Sequence, residues 1–186
     1  MHLATSNNNK EIVDLLLRHP KINFGPKSFY KCQNIRFMKV PSSVTEIGEY
    51  AFTYCNMLCE ISIPSSVTKI DKYAFQGCLC LFNISIPPSV TIIEEGVFSY
   101  CVCLKSVSIP STITEIKDRA FENCISLCDF EIPSNVIRIG YISFARCQTL
   151  KKITIPSSVK ELGEFCFVEC MLLTEVTFDA PCSLAT

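Results

Sequence analysis

A period of 23 residues runs through almost the whole chain and constrains its fold more than any other feature. Pro41, Pro64, Pro87, Pro110, Pro133 and Pro156 are each 23 apart. Phe29, Phe52, Phe75, Phe98, Phe121, Phe144 and Phe167 keep the same interval, and so do Cys32, Cys55, Cys78, Cys101, Cys124, Cys147 and Cys170. Between them recur Val44, Val67, Val90, Ile113, Val136 and Val159, then Ile47, Ile70, Ile93, Ile116, Ile139 and Leu162. A leucine follows each cysteine from Cys55 onward, from Leu58 to Leu173. Agreement of several registers over six periods excludes chance, and such a period marks a repeat architecture.

Each period divides into two halves. The stretch LCEISIP and its counterparts alternate apolar and polar residues, favour β-branched side chains and stop at proline. That pattern predicts a short strand ended by a residue with no N–H for the ladder. The other half, SSVTEIGEYAFTYC, predicts a polar turn, a brief apolar pair and a compact AF-x-x-C segment forming one helical or 3₁₀ turn. A unit of this length cannot bury its apolar side alone, so units must stack. Strand pairing sets successive coils about 4.8 Å apart, so seven coils extend only about 30 Å. The expected fold is a β-rich, right-handed solenoid with a strand-lined concave face.

The pattern L-x-x-I-x-I-P-x-x-V-x-x-I-G-x-x-A-F-x-x-C is fullest from Leu58 to Cys78, with Asp71 in the glycine slot. It resembles the leucine-rich repeats, and among them the BspA-like subfamily, over about residues 29–178. The resemblance implies a binding or adhesion surface on secreted or cell-surface proteins. Gly48, Gly140 and Gly163 keep the family glycine, whereas Asp71, Glu94 and Lys117 replace it, which reads as a preference rather than a steric need. Ser143 and Cys166 stand where Ala51, Ala74 and Ala120 stand, all small as a tight core slot requires.

The sequence divides into residues 1–24 and a repeat array over 25–186. The stretch HLATSNNNKEIVDLLLRHPKIN, residues 2–23, resembles the latter part of an ankyrin repeat and predicts a helical segment. One partial ankyrin repeat cannot stand alone. It is either the remnant of a longer helical array or a helix capping the open end of the solenoid, where Leu15–Leu17 would otherwise be exposed. At the other end, Leu173, Val176 and Phe178 complete a strand, and Asp179 holds the slot where proline is expected. The expectation is an array that continues in a longer parent.

Thirteen cysteines raise the question of chemistry. Seven occupy one inward register, where a leucine-rich repeat places Asn or Cys and the side chain can bond weakly to backbone. Free cysteine behaves there as a small hydrophobe, and parallel Cβ vectors oppose disulfides along the ladder. Off the ladder lie Cys59, Cys80, Cys103, Cys128, Cys166 and Cys182. Cys80 and Cys103 share a register, face each other on adjacent coils, and are the best candidates for a disulfide. A zinc site wants four ligands, usually Cys or His, and the only histidines, His2 and His19, precede the array. A cysteine nucleophile needs a base, and the chain has no phosphate-cradling glycine loop and no G-x-S-x-G. Serines and threonines cluster in the PSSVT turn, where they bond local backbone. The sequence therefore predicts no catalytic residues, cofactor or metal.

Binding falls to the outward strand positions. These are Glu60, Asn83, Ser106, Asp129, Lys152 and Glu175, then Ser62, Ser85, Ser108, Glu131 and Thr154, with Phe82 and Lys105 at the flank. For any one of them, solvated strand residue is the plainer reading; the face as a whole is what solenoids use for contact. Glu46, Lys69, Glu115, Arg138 and Glu161 form a charged register that reads as cross-strand support. Seventeen basic against eighteen acidic residues give a net charge of −1, which argues against a nucleic-acid partner. No apolar run approaches the roughly 20 residues of a membrane span. The expected function is non-catalytic recognition of a protein or glycan. The alternative is a structural spacer in a longer ankyrin and leucine-rich-repeat scaffold. The polar N-terminus and free thiols point to the cytoplasm, whereas the family resemblance points to the cell surface.

Overall fold

The structure, a computed structural model, describes residues 23–179. The ankyrin-like helical segment, residues 1–24, lies outside the described residues except for Asn23 and Phe24. Phe24 is buried and bridges Ile47 in parallel, and no described residue is helical.

Two short strands, not one, mark most coils. The first register holds β1 (Phe37–Lys39), β3 (Glu60–Ser62), β5 (Asn83–Ser85), β7 (Ser106–Ser108), β10 (Lys152–Ile155) and β12 (Glu175–Phe178). The second holds β2 (Glu46–Ile47), β4 (Lys69–Ile70), β6 (Ile92–Ile93), β8 (Glu115–Ile116), β9 (Arg138–Ile139) and β11 (Glu161–Leu162). Every pairing is parallel and joins residues one 23-residue period apart, as in Met38 with Ile61 and Ile116 with Ile139. The brief apolar pair of the second half-repeat is thus a strand in its own right. Its inward Ile or Leu and its outward residue, charged in every coil except at Ile92, give the minimal alternation a half-buried strand needs.

The strand-lined face is not continuous, contrary to the simplest reading of the repeat. It consists of the pairs β1–β3, β5–β7 and β10–β12. At the fifth coil only an isolated bridge, Ser106 to Asp129, survives. Phe130 of this coil stands where Ile61, Ile84, Val107 and Ile153 stand. Its ring is buried edge-on between Phe121 and Phe144, at centroid distances of 4.9 and 4.8 Å. A second seam lies between β3 and β5. There the other register is broken too, since β2–β4 and β6–β8–β9–β11 are separate sheets. Phe82 N–H reaches the Cys59 carbonyl at 3.4 Å across this seam, against 2.8 and 2.9 Å for the equivalent bonds one coil to either side.

The AF-x-x-C segment is neither a helical nor a 3₁₀ turn. Its backbone visits the left-handed region twice per coil: at Lys27, Tyr50, Tyr73, Gly96, Arg119, Ile142 and Phe165, and at Lys31, Tyr54, Gly77, Tyr100, Asn123, Arg146 and Glu169. Only two of these are glycine, so side chains accept a conformation that costs roughly 1–2 kcal/mol each. The return is a full ladder. Alternate N–H groups close turns three residues back, as Cys32 does on Phe29 at 3.0 Å, while the others donate to the next coil, as Phe29 does to Ala51 at 2.7 Å. This ladder continues across the β3/β5 seam, through Phe75 to Val97 at 3.0 Å and Gly77 to Ser99 at 2.8 Å.

Inside the coils, the phenylalanine register forms one stack from Phe29 to Phe167. Neighbouring rings are within 18° of parallel and their centroids 4.9 to 5.7 Å apart, the widest gap being Phe75 to Phe98 at the seam. Val44, Leu58, Val67, Leu81, Leu104, Leu127 and Leu150 fill the remaining width and are wholly buried. Glycine at 48, 140 and 163 proves a steric requirement in its own coils. A Cβ on Gly163 would lie 2.3 Å from the Gly140 carbonyl carbon, and one on Gly48 would lie 2.7 Å from that of Gly25.

Candidate binding face and the cysteines

The first register of strands turns one row of side chains into the core and the next to solvent. Met38, Ile61, Ile84 and Ile153 are buried, while both neighbours of each on the strand are exposed. All the predicted face residues are exposed: Glu60, Ser62, Phe82, Asn83, Ser85, Lys105, Ser106, Ser108, Asp129, Glu131, Lys152, Thr154 and Glu175. Phe82 and Lys105 do more than flank it, because the Lys105 ammonium sits 4.8 Å from the Phe82 ring centroid. Thr154 and Thr177 share a hydroxyl hydrogen bond of 2.9 Å across β10 and β12. The seams divide the face, so Glu60 and Ser62 belong to one paired patch and Asn83 to Ser108 to the next. Asp129 and Glu131 stand on the unpaired coil between patches.

Sequence reasoning missed Phe37 and Lys39, which begin the face on β1. Phe37 is 70% exposed, the largest aromatic exposure on any strand. The signal was available: both lie one period before Glu60 and Ser62, in a coil too irregular to display the full repeat.

The charged second register is only partly a set of cross-coil pairs. Arg138 joins Glu161 on the next coil at 3.2 Å and also approaches Asp118 at 3.6 Å. Lys69 pairs in register with Glu46, yet its ammonium binds Asp71 of its own coil at 2.9 Å.

The ladder cysteines are structural groups, buried except for the half-buried Cys170. Each of six donates its thiol to a phenylalanine carbonyl of the preceding coil: Cys55 to Phe29 at 3.0 Å, Cys78 to Phe52 at 3.2 Å, Cys101 to Phe75 at 3.1 Å, Cys124 to Phe98 at 3.2 Å, Cys147 to Phe121 at 3.3 Å and Cys170 to Phe144 at 3.1 Å. Those carbonyls also accept the local turn N–H, as Phe75 does from Cys78, so the thiol fills the second lone pair. Burial pushes the Cys101 thiol up to about 12 and raises Cys78, Cys124 and Cys147 as well. A nucleophile must be a thiolate; these stay protonated.

Off the ladder, Cys59 and Cys80 are half-buried, and Cys103, one period after Cys80, is exposed. All cysteines of the described residues are free thiols. Among the described residues no three His, Cys, Asp or Glu side chains are grouped to hold a metal ion, and no helix is long and apolar enough to cross a membrane.

The BspA type leucine rich repeat region matches residues 22–150 and 114–185, in six copies. The chain belongs to this family. Among solved structures, the leucine rich repeat protein of T. pallidum is 27% identical, with a TM-score of 0.63, over 83% of this chain and 62% of that one. A leucine-rich repeat protein from Eubacterium ventriosum is 24% identical with a TM-score of 0.59, over 77% of this chain and 45% of that one. A leucine rich cell surface protein from Faecalibacterium prausnitzii is 21% identical with a TM-score of 0.50, over 87% of this chain and 66% of that one. The last two likenesses show the fold alone. The chain spans less than two thirds of the length of each of these proteins. Among curated proteins, none matches it.

Proposed function

We propose that this BspA-type array is a non-catalytic recognition module that binds a protein or glycan through its outward strand face. The carrying observation is a contrast within each strand. Inward positions hold Ile, Val, Met or Phe throughout, whereas the outward row Phe37, Glu60, Asn83, Ser106, Asp129, Lys152 and Glu175 changes at every coil and is exposed throughout. Packing dictates the first set and places no demand on the second, which leaves the second free to carry specificity. Phe37, and Phe82 with Lys105 over its ring, supply the aromatic and cationic anchors that contact surfaces favour. Asp129, Glu131, Lys152 and Glu175 supply a charged end.

The test is charge reversal at two face residues. Asp129→Lys with Lys152→Glu, and separately Phe37→Ala, are to be compared with the parent chain against any partner captured by pull-down. Loss of capture with an unchanged melting curve supports the reading. Undiminished capture by both variants overturns it and leaves the spacer role.

A further inference from the structure

The near-zero net charge conceals a division along the chain. From Leu15 to Thr45 the sequence holds Arg18, Lys21, Lys27, Lys31, Arg36 and Lys39 and no Asp or Glu. From Glu161 onward it holds Glu161, Glu164, Glu169, Glu175 and Asp179 and no Lys or Arg. The first coil therefore carries a local field that attracts anions.

Two of its bases stand on the turn ladder and not on the strand face. Lys27 and Lys31 are both left-handed at φ 58°, and their N–H groups are tied to the Glu49 and Thr53 carbonyls at 2.9 and 2.8 Å. The Lys27 ammonium lies 5.6 Å from the Tyr50 ring centroid. That of Lys31 lies 5.2 Å from the Tyr30 ring and 6.0 Å from the Tyr54 ring, and these two rings are 6.2 Å apart. Both lysines are exposed, and Tyr54 is 41% exposed. Farther along the same two columns of left-handed residues the bases are neutralised, Arg119 by Glu122 at 3.3 Å and Arg146 by Glu169 at 2.8 Å. One period on from Arg146 stands Glu169; one period on from Lys31 stands Tyr54. Among the described residues neither Lys27 nor Lys31 has a carboxylate partner.

We propose that Lys27 and Lys31, with Tyr30 and Tyr54, form a second contact surface on the first coil, and that it takes a sulfated polysaccharide. The ladder fixes the backbone beneath both ammonium groups, so little order is lost when an anion meets them. A peptide would find little here. Every N–H from Lys27 to Cys32 is already bonded within the ladder, so no strand edge is on offer, and lysines lack the planar fork that matches a carboxylate. A sulfated sugar chain needs neither. Its sulfates accept from point charges in many directions, and the C–H faces of its rings pack on aromatic rings. The inference does not depend on what the strand face binds.

The experiment titrates a short heparin oligosaccharide, as the sulfated probe, into the full chain. Binding is expected, with affinity falling as salt rises. Lys27→Gln with Lys31→Gln is expected to weaken it about tenfold and to lower the slope of log affinity against log salt by about 2, since two fewer counterions are released. Tyr54→Leu is expected to weaken binding about threefold with the slope unchanged. Lys151→Gln with Lys152→Gln removes the same charge from the strand face and is expected to change affinity less than about twofold, and so is Phe37→Ala. In the unaltered chain the bound oligosaccharide is expected to shield Lys27 and Lys31, and not Lys151 and Lys152, from acetylation read by mass spectrometry. That readout requires no variant to fold. Absence of binding, equal losses from the two lysine pairs or from Phe37→Ala, or undiminished labelling of Lys27 and Lys31 each overturns the proposal. So does equally tight binding of desulfated heparin, of a polyglutamate peptide or of single-stranded DNA.

Discussion

The Phe/Cys ladder and the outward strand face repeat with the same period, yet they obey opposite rules. Along the ladder the residue type is fixed, the rings stack face to face, and each thiol finds the same carbonyl one coil back. Along the face Phe37 gives way to Glu60, Asn83, Ser106, Asp129, Lys152 and Glu175 with no rule but exposure. A stacked coil offers its neighbour an identical cavity each time, so the cavity is filled identically. It offers solvent nothing to match. Constancy therefore marks where the fold is held, and variation marks where a partner can be read.

The largest test of this contrast is Phe98→Ala. Phe98 is wholly buried, between Phe75 at 5.7 Å and Phe121 at 5.5 Å. Its removal is expected to cost about 3–5 kcal/mol in denaturant unfolding; a cost under about 1 kcal/mol would break the comparison. Gly163→Ala comes next, since its Cβ would press on the Gly140 backbone. A loss of about 1–3 kcal/mol is expected from that overpacking, and a neutral result would return glycine there to a mere preference.

Ser143 sharpens the rule by violating it. It fills the slot of Ala51, Ala74 and Ala120, is wholly buried, and its hydroxyl finds no partner among the described residues. Ser143→Ala should therefore stabilise the chain by about 1 kcal/mol, read as a raised midpoint. Charge reversal of Asp129 and Lys152, by contrast, should shift stability by no more than about 0.5 kcal/mol.

The smallest effect concerns pH. The Tyr73 hydroxyl, and then Lys72, hold the Glu95 carboxyl below the usual carboxylate range. A carboxylate depressed in the folded state contributes stability above its unfolded pKa and loses it as pH falls through the folded one. Stability should thus fall slightly below about pH 4, and Tyr73→Phe should lessen that slope in unfolding titrations.

Much of this was legible in advance. The 23-residue spacing of Phe29 to Phe167 located the core, and the alternation around Ile61 or Ile153 located the outward face. The left-handed residues were not legible, because Tyr50, Arg119 and Ile142 carry no sign of positive φ. They adopt it because the turn ladder of the next coil demands a particular direction for each N–H, and that demand exists only once coils are stacked. Phe37 was legible in principle but hidden in an irregular first coil.

The sequence by itself determined the period, the family architecture and the division of each strand into an inner and an outer row, since burial of alternate apolar residues leaves no other choice. Only the tertiary structure decided where the array is weak. Which coils keep their strand pairing depends on how neighbouring coils stack, and no single coil's residues carry that: the strand face parts between β3 and β5 with isoleucine on both sides, and again at the fifth coil with Phe130.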